Sequence, residues 1–110
     1  MDKKIYELHA EVCKTLASPK RLEILNSLRE NEMNVNDIVK KIGASKANIS
    51  QHLAIMRLKG ILSSRREGNH IYYRVSNLKV IKACDIMREV LFEQLSKNEK
   101  MVEKMTASKT

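Results

Sequence analysis

Between Ser45 and Gly60 the sequence places a group of polar side chains that can form hydrogen bonds with base edges. They are Lys46, Asn48, Ser50, Gln51 and His52, and no acidic residue lies among them. Amine, amide, hydroxyl and imidazole groups can reach the donors and acceptors of a DNA major groove. A solvated helix face would normally alternate Glu with Lys. We therefore interpret these residues as a candidate nucleic-acid surface.

The same segment is predicted to form one amphipathic helix. Its apolar residues recur at intervals of three or four and form a stripe made by Ile49, Leu53 and Met56, with Ala54 and Leu58 at its margins. Ser45 is a favoured N-cap residue, and Gly60 can adopt the left-handed conformation that ends a helix. The polar residues lie off the stripe. Ser45, at the helix start, is counted with them as a candidate DNA contact.

Basic residues dominate the middle of the chain. The formal net charge is +8, and Glu67 is the only acidic residue between positions 40 and 79. The basic residues of this stretch are Lys40, Lys41, Lys46, Arg57, Lys59, Arg65, Arg66, Arg74 and Lys79. Such a distribution favours phosphate contacts by the middle of the chain, so double-stranded DNA is the predicted partner.

After Gly60 the apolar pattern changes from helical to alternating. Residues 61–66 and 70–75 are predicted strands, and Glu67-Gly68-Asn69 is the predicted hairpin turn. We expect this hairpin to form a wing. Four of its side chains are expected to reach phosphates or an adjacent minor groove, namely Arg65, Arg66, Asn69 and His70.

Three further helices are predicted before the central one. The apolar spacing favours helices over residues 3–16 and from Pro19 to about Arg29, with Leu22, Leu25 and Leu28 inward. After an extended piece at residues 33–35, Asn34 or Asn36 can cap a third helix that stops at Gly43. The third and central helices have the spacing of a helix-turn-helix. The predicted fold is mainly α with a small β-hairpin, a winged helix-turn-helix.

The last predicted helix runs from Asn77 to about Lys97. Its apolar residues exceed what a small winged domain can cover, so we expect it to form a homodimer interface with the first helix, at about residues 3–16 and 77–97. Residues 1–98 then make one domain, and residues 99–110 are expected to be a polar, frayed tail. No segment has the length and apolarity of a membrane span or a secretory leader, so a cytoplasmic location is expected.

The sequence lacks the patterns typical of an enzyme. It has no glycine-rich phosphate loop, and no nucleophile and base with a third orienting group. We therefore predict a binding protein that is not an enzyme and needs no cofactor. RNA is disfavoured because the major groove of an A-form helix is too narrow for an α-helix. A winged-helix module for protein contacts is an alternative.

Three segments resemble the ArsR/SmtB family of bacterial and archaeal winged-helix repressors. They are LASPKRLEILNSL, NDIVKKIGASKANISQHLAIMRLKGIL and REGNHIYYRV. The resemblance implies a homodimeric repressor that binds an inverted repeat and is released by an inducer. It also implies DNA contacts at the positions of Lys46, Ala47, Ser50 and Gln51.

The metal sites of that family are not matched. Asn34 and Asn36 stand at the two thiol positions of its Cys-x-Cys motif, and neutral amides are poor ligands for soft metals. No metal site is therefore predicted, although a metal- or metalloid-responsive repressor with a non-standard site is an alternative. The remaining candidates for sensing are Cys13 and Cys84, whose oxidation would join the first and last helices. Release by a reactive sulfur species is the other form of this hypothesis. A packing role for both thiols stays open, and the inducer is unknown.

Overall fold

The computed structural model describes residues 1–108 and divides into two compact units. The first comprises Met1–Leu78, and the second begins at Lys79. The first unit contains four helices and three strands: α1 (Lys3–Leu16), α2 (Pro19–Ser27), β1 (Met33–Asn34), α3 (Val35–Ile42), α4 (Lys46–Leu58), β2 (Leu62–Glu67) and β3 (His70–Val75). The second unit contains α5 (Lys79–Ser108).

Predicted caps define the starts of α2 and α3. Ser18 precedes Pro19 at the start of α2, and its Oγ accepts from the backbone N–H of Arg21. Of the two asparagines proposed for α3, Asn34 is the cap, accepting from the N–H of Asp37 at 2.9 Å. Helix α2 ends at Ser27, two residues before the predicted Arg29, because the backbone of Leu28 already leaves the helical conformation.

The wing belongs to a three-stranded antiparallel sheet of order β1-β3-β2. Strands β2 and β3 pair in the register Leu62↔Val75 to Glu67↔His70, which confirms the predicted hairpin. Glu67, which the sequence predicts in the turn, belongs to β2, so the turn is shorter than predicted. Strand β1 pairs with the other edge of β3, with Met33 opposite Tyr73. The sequence predicts only an extended piece at β1, since two residues are too few to show an alternating pattern.

The core of the first unit is aliphatic and has α4 at its centre. Ile49, Leu53 and Met56 have no exposed surface, which confirms the predicted stripe. Leu58, expected at the margin of the stripe, is 83% exposed. Ile24 is fully buried, although only the leucines of α2 are predicted to point inward. The spacing of those leucines does not reveal it, because Ile24 lies between two of their positions.

The second unit is the single helix α5. It begins at Lys79 and continues to Ser108, so residues 99–108 of the predicted tail are helical. Glu99, Lys100, Glu103 and Lys104 have high helix propensity without needing burial, which accounts for the difference. Residues 109 and 110 of the predicted tail lie outside the described part. Among residues 1–108, no helix is long and apolar enough to cross a membrane.

Candidate nucleic-acid interface

Helix α4 is anchored on one face and exposed on the other. Its start is fixed by Ser45, whose Oγ accepts from the backbone N–H of Asn48 at 3.1 Å. Its end is closed at Gly60, which has a φ of 78°. Because the stripe is buried, the opposite face is solvent exposed. The predicted contacts on this exposed face are Ser45, Lys46, Ala47, Asn48, Ser50 and Gln51.

His52 differs from the other predicted contacts because it is half-buried and has a protein partner. Its Nδ1 accepts a hydrogen bond from Nε of Arg21 on α2 at 3.1 Å. Burial lowers the pKa of the imidazole, and the positive charges of Arg21 and Lys20 lower it further. The ring is therefore neutral at physiological pH. The sequence pattern contains no signal for this contact, because the two residues lie 31 positions apart.

The wing presents three exposed polar side chains at its tip. The turn between β2 and β3 contains Gly68 with a φ of 61°, which a two-residue hairpin requires. Arg66 and Asn69 lie at this turn, and Nε of Arg66 donates to the Gly68 carbonyl at 3.3 Å. His70 lies at the start of β3, with its ring 6.3 Å from that of Tyr72. These exposed groups remain available to a polyanion.

Arg65, which we predict as a phosphate contact, is engaged within the protein. Its guanidinium forms a bidentate ion pair with Glu32 in the loop before β1, with Nε at 2.9 Å from both carboxylate oxygens. It also pairs with Glu67 at 2.7 Å and lies over the ring of Tyr72, 4.8 Å from its centroid. The hydrogen bond from Arg65 holds the pKa of Glu32 below its ordinary value. This network connects the wing to the loop before β1.

An open cleft lies between the start of α4 and the tip of the wing. Lys46 from α4 lines it together with Asn69 and His70 from the wing. Asn34 and Asn36 at the start of α3 also line it. From the sequence, these two asparagines are interpreted only as helix caps and as replaced metal ligands. Their proximity to Lys46 depends on the pairing of β1 with β3, which the sequence does not predict.

The two cysteines lie on different units and are both free thiols. Cys13 is exposed on α1. Cys84 is partly buried on α5, and this burial raises the pKa of its thiol. Within residues 1–108, no three His, Cys, Asp or Glu side chains are grouped so that they could hold a metal ion.

Comparison with known proteins gives consistent matches. The model of the family described as "Bacterial regulatory protein, arsR family" matches residues 18–64. The HTH-type transcriptional regulator Rv0081 of Mycobacterium tuberculosis is 33% identical over 104 residues, which cover 94% of this chain and 91% of that protein. The transcriptional repressor PagR of Bacillus anthracis is 42% identical over 72 residues, covering 64% of this chain and 72% of PagR.

Solved structures show the same fold. The crystal structure of Rv0081 has a TM-score of 0.77 at 34% identity and covers 86% of this chain and 95% of its own. The homodimeric winged helix-turn-helix DNA-binding domain of Mb0332 from Mycobacterium bovis has a TM-score of 0.75 at 30% identity, covering 84% of this chain and 86% of its own. The mainly helical chain with its small sheet is therefore a winged helix-turn-helix, as predicted.

Proposed function

The chain belongs to the ArsR family of bacterial helix-turn-helix transcriptional regulators, and from this we propose that it is a repressor that binds an inverted-repeat operator as a homodimer. Helix α4 reads bases in the major groove. The wing and the surrounding Lys and Arg residues hold the phosphate backbone. PagR, a named repressor that is 42% identical to this chain over 72 residues, supports the direction of regulation.

One observation carries the proposal of base reading. Three fully buried residues fix the orientation of α4, and the opposite face presents Asn48, Ser50 and Gln51 without any acidic side chain. Amide groups can pair bidentately with adenine, and hydroxyl groups can accept or donate at several base edges. The cleft beside Lys46 supports a phosphate contact at the N-terminal end of the same helix.

Two exposed apolar surfaces support the homodimer. On α1, Ile5, Leu8 and Val12 are 48%, 53% and 41% exposed. On α5, Met87, Leu91 and Leu95 are exposed at 69%, 49% and 50%. Surfaces of this kind are rare on monomers and typical of subunit interfaces. A two-fold axis would place two copies of α4 on two half-sites of an inverted repeat.

The DNA-binding proposal is tested by fluorescence anisotropy with the DNA upstream of the protein's own gene. We expect binding at least about a thousandfold tighter than to a shuffled duplex of the same length and composition at physiological salt. Affinity for both duplexes should fall steeply as salt is raised, because phosphate contacts release counterions. Equal affinity for the two duplexes, even when further intergenic fragments are tried, would refute operator recognition.

The exposure of Cys13 favours release from DNA by thiol oxidation. An exposed thiol can react with a small disulfide to form a mixed disulfide, which Cys84 then attacks as the resolving thiol. The two thiols lose two electrons and two protons, and the small disulfide is reduced to two thiols. HlyU of Vibrio cholerae, a solved relative at 27% identity with a TM-score of 0.72, is described in a reduced form.

Oxidised glutathione followed by dithiothreitol tests this release mechanism. We expect the anisotropy signal of the bound operator to fall on oxidation and to recover on reduction. The Cys13→Ser variant should keep binding under both conditions, and mass spectrometry should show a Cys13–Cys84 disulfide in the wild-type protein only. Release that persists in Cys13→Ser, or no release at all, would exclude this mechanism while leaving operator binding intact.

A further inference from the structure

Arg21 connects three elements of the first unit through one guanidinium group. Its Nε donates to Nδ1 of His52 on α4, and its Nη1 donates to the backbone carbonyl of Thr15 in the last turn of α1 at 3.0 Å. Both hydrogen bonds are partly buried. The guanidinium is therefore held at two of its edges, and through it the imidazole ring is held in one orientation.

The contact determines which nitrogen of His52 carries the proton. A guanidinium group has only donors, so the Nδ1 that accepts from Arg21 must be unprotonated. The neutral ring then carries its proton on Nε2. Among the residues described, Nε2 has no protein partner for this N–H. His52 follows the exposed Gln51 on α4 and retains partial exposure, so its ring lies at the edge of the candidate DNA-binding face.

We propose that Arg21 is a positioning residue that holds His52 as the Nε2–H tautomer, so that this N–H donates to an acceptor on bound DNA. The inference rests on the proposed DNA-binding function. The acceptor is either a phosphate oxygen or a base-edge atom such as guanine O6 or N7. A ring in the other tautomer would present a lone pair at Nε2 and would repel both kinds of acceptor.

The first test uses the free protein and does not depend on DNA. Long-range ¹H–¹⁵N spectra identify the protonated nitrogen of His52 at a pH above its pKa. We expect Nε2–H in the wild-type protein and a mixture of both tautomers in Arg21→Gln. The matched control is Lys20→Gln, which removes the same charge from the neighbouring position but no hydrogen bond to His52. A proton on Nδ1 of His52 in the wild-type protein, or an unchanged tautomer in Arg21→Gln, would overturn the proposal.

The second test measures operator affinity in a double-mutant cycle. His52→Ala should weaken binding about three- to tenfold, the range expected for one hydrogen bond. Arg21→Gln should weaken it less, by about twofold for an equal mixture of the two tautomers. The double variant should be no weaker than His52→Ala, because without the imidazole no tautomer remains for Arg21 to fix. Affinity decreases that multiply in the double variant would mean that the two residues act independently and would refute the proposal.

A third variant separates the tautomer effect from a structural role. In His52→Gln the side-chain amide nitrogen can replace Nε2 as the donor. An amide always carries its protons on nitrogen, so this donor does not depend on Arg21. We expect this variant to bind within about twofold of the wild type and to be insensitive to Arg21→Gln. Continued sensitivity would show that Arg21 acts by a route other than the His52 tautomer and would overturn the proposal. Circular dichroism of each variant checks its helix content.

The same titrations identify the acceptor. A decrease in affinity that is equal on operator and shuffled DNA assigns a phosphate oxygen, whereas a decrease confined to the operator assigns a base-edge atom. Wild-type protein that binds no DNA would overturn the donor role together with the proposed function. In that case the spectra of the free protein would still decide whether Arg21 fixes the tautomer.

Discussion

Arg65 and Arg66 are adjacent on β2, but their surroundings assign them different tasks. The guanidinium of Arg65 is occupied by two carboxylates and a tyrosine ring, so a phosphate would have to displace Glu32. Within residues 1–108, Arg66 makes only a 3.3 Å contact with the Gly68 carbonyl and is exposed. The sequence alone does not distinguish the two arginines, because the partner of Arg65 lies 33 positions away. The contact with DNA phosphate is therefore expected at Arg66.

The variants Arg66→Gln and Arg65→Gln test this assignment with the same charge change on the same strand. For Arg66→Gln we expect weaker binding to operator and shuffled DNA, and a salt slope that is lower by about one unit for each phosphate that the arginine neutralises. Arg65→Gln should leave the slope unchanged. Anisotropy titrations at several salt concentrations give both slopes. Equal decreases in the two variants would show that Arg65 leaves Glu32 to bind phosphate.

Among the elements, α4 is the most fully predictable from sequence and the sheet the least. The cap at Ser45, the apolar stripe and the glycine stop are all local signals, and each is confirmed in the structure. The pairing of β1 with β3 and the Arg21–His52 contact join residues about 30 or more positions apart, and local periodicity carries no information about them. The candidate site is therefore predictable as a helix face and a wing, but not as a set of side-chain interactions.

The orientation of α4 depends on its buried stripe, which two leucines of the same helix can test. Leu53 is fully buried and Leu58 is 83% exposed. Leu53→Ala should lower the free energy of unfolding by about 2–5 kcal/mol, because it leaves a cavity in the core. Leu58→Ala should change it by less than about 0.5 kcal/mol. Urea denaturation measures both values. Comparable decreases would place the core on the wrong face of α4.

At the scale of the whole molecule, charge and apolar surface are separated along the chain. The net positive charge concentrates in the middle, where Glu67 is the only acidic residue between positions 40 and 79, while the exposed apolar residues concentrate on α1 and α5. This separation can be predicted from the sequence, because net charge and apolar content can be counted along the chain without knowledge of the tertiary structure. The proposed DNA binding and the proposed dimerisation therefore involve different surfaces, which can be altered one at a time.

A charged residue on the α1 surface should break the dimer. Leu8→Glu places a carboxylate in the proposed interface, and an unpaired buried charge costs about 3 kcal/mol or more. We expect the dimer dissociation constant to rise by on the order of a hundredfold. Leu58→Glu, a matched change on an exposed leucine, should leave the dimer intact. Analytical ultracentrifugation distinguishes the outcomes, and a monomeric wild-type protein would refute the homodimer.

The most direct test of base reading by α4 is the operator-to-shuffled affinity ratio of Ser50→Ala and Gln51→Ala. Both side chains are exposed and neither supports the buried core, so the variants should fold normally. Each is expected to reduce the ratio by on the order of tenfold or more, since a specific base contact contributes about 1–3 kcal/mol, while affinity for shuffled DNA stays nearly constant. An equal decrease in affinity for both duplexes would contradict base reading, because α4 would then contact only the backbone.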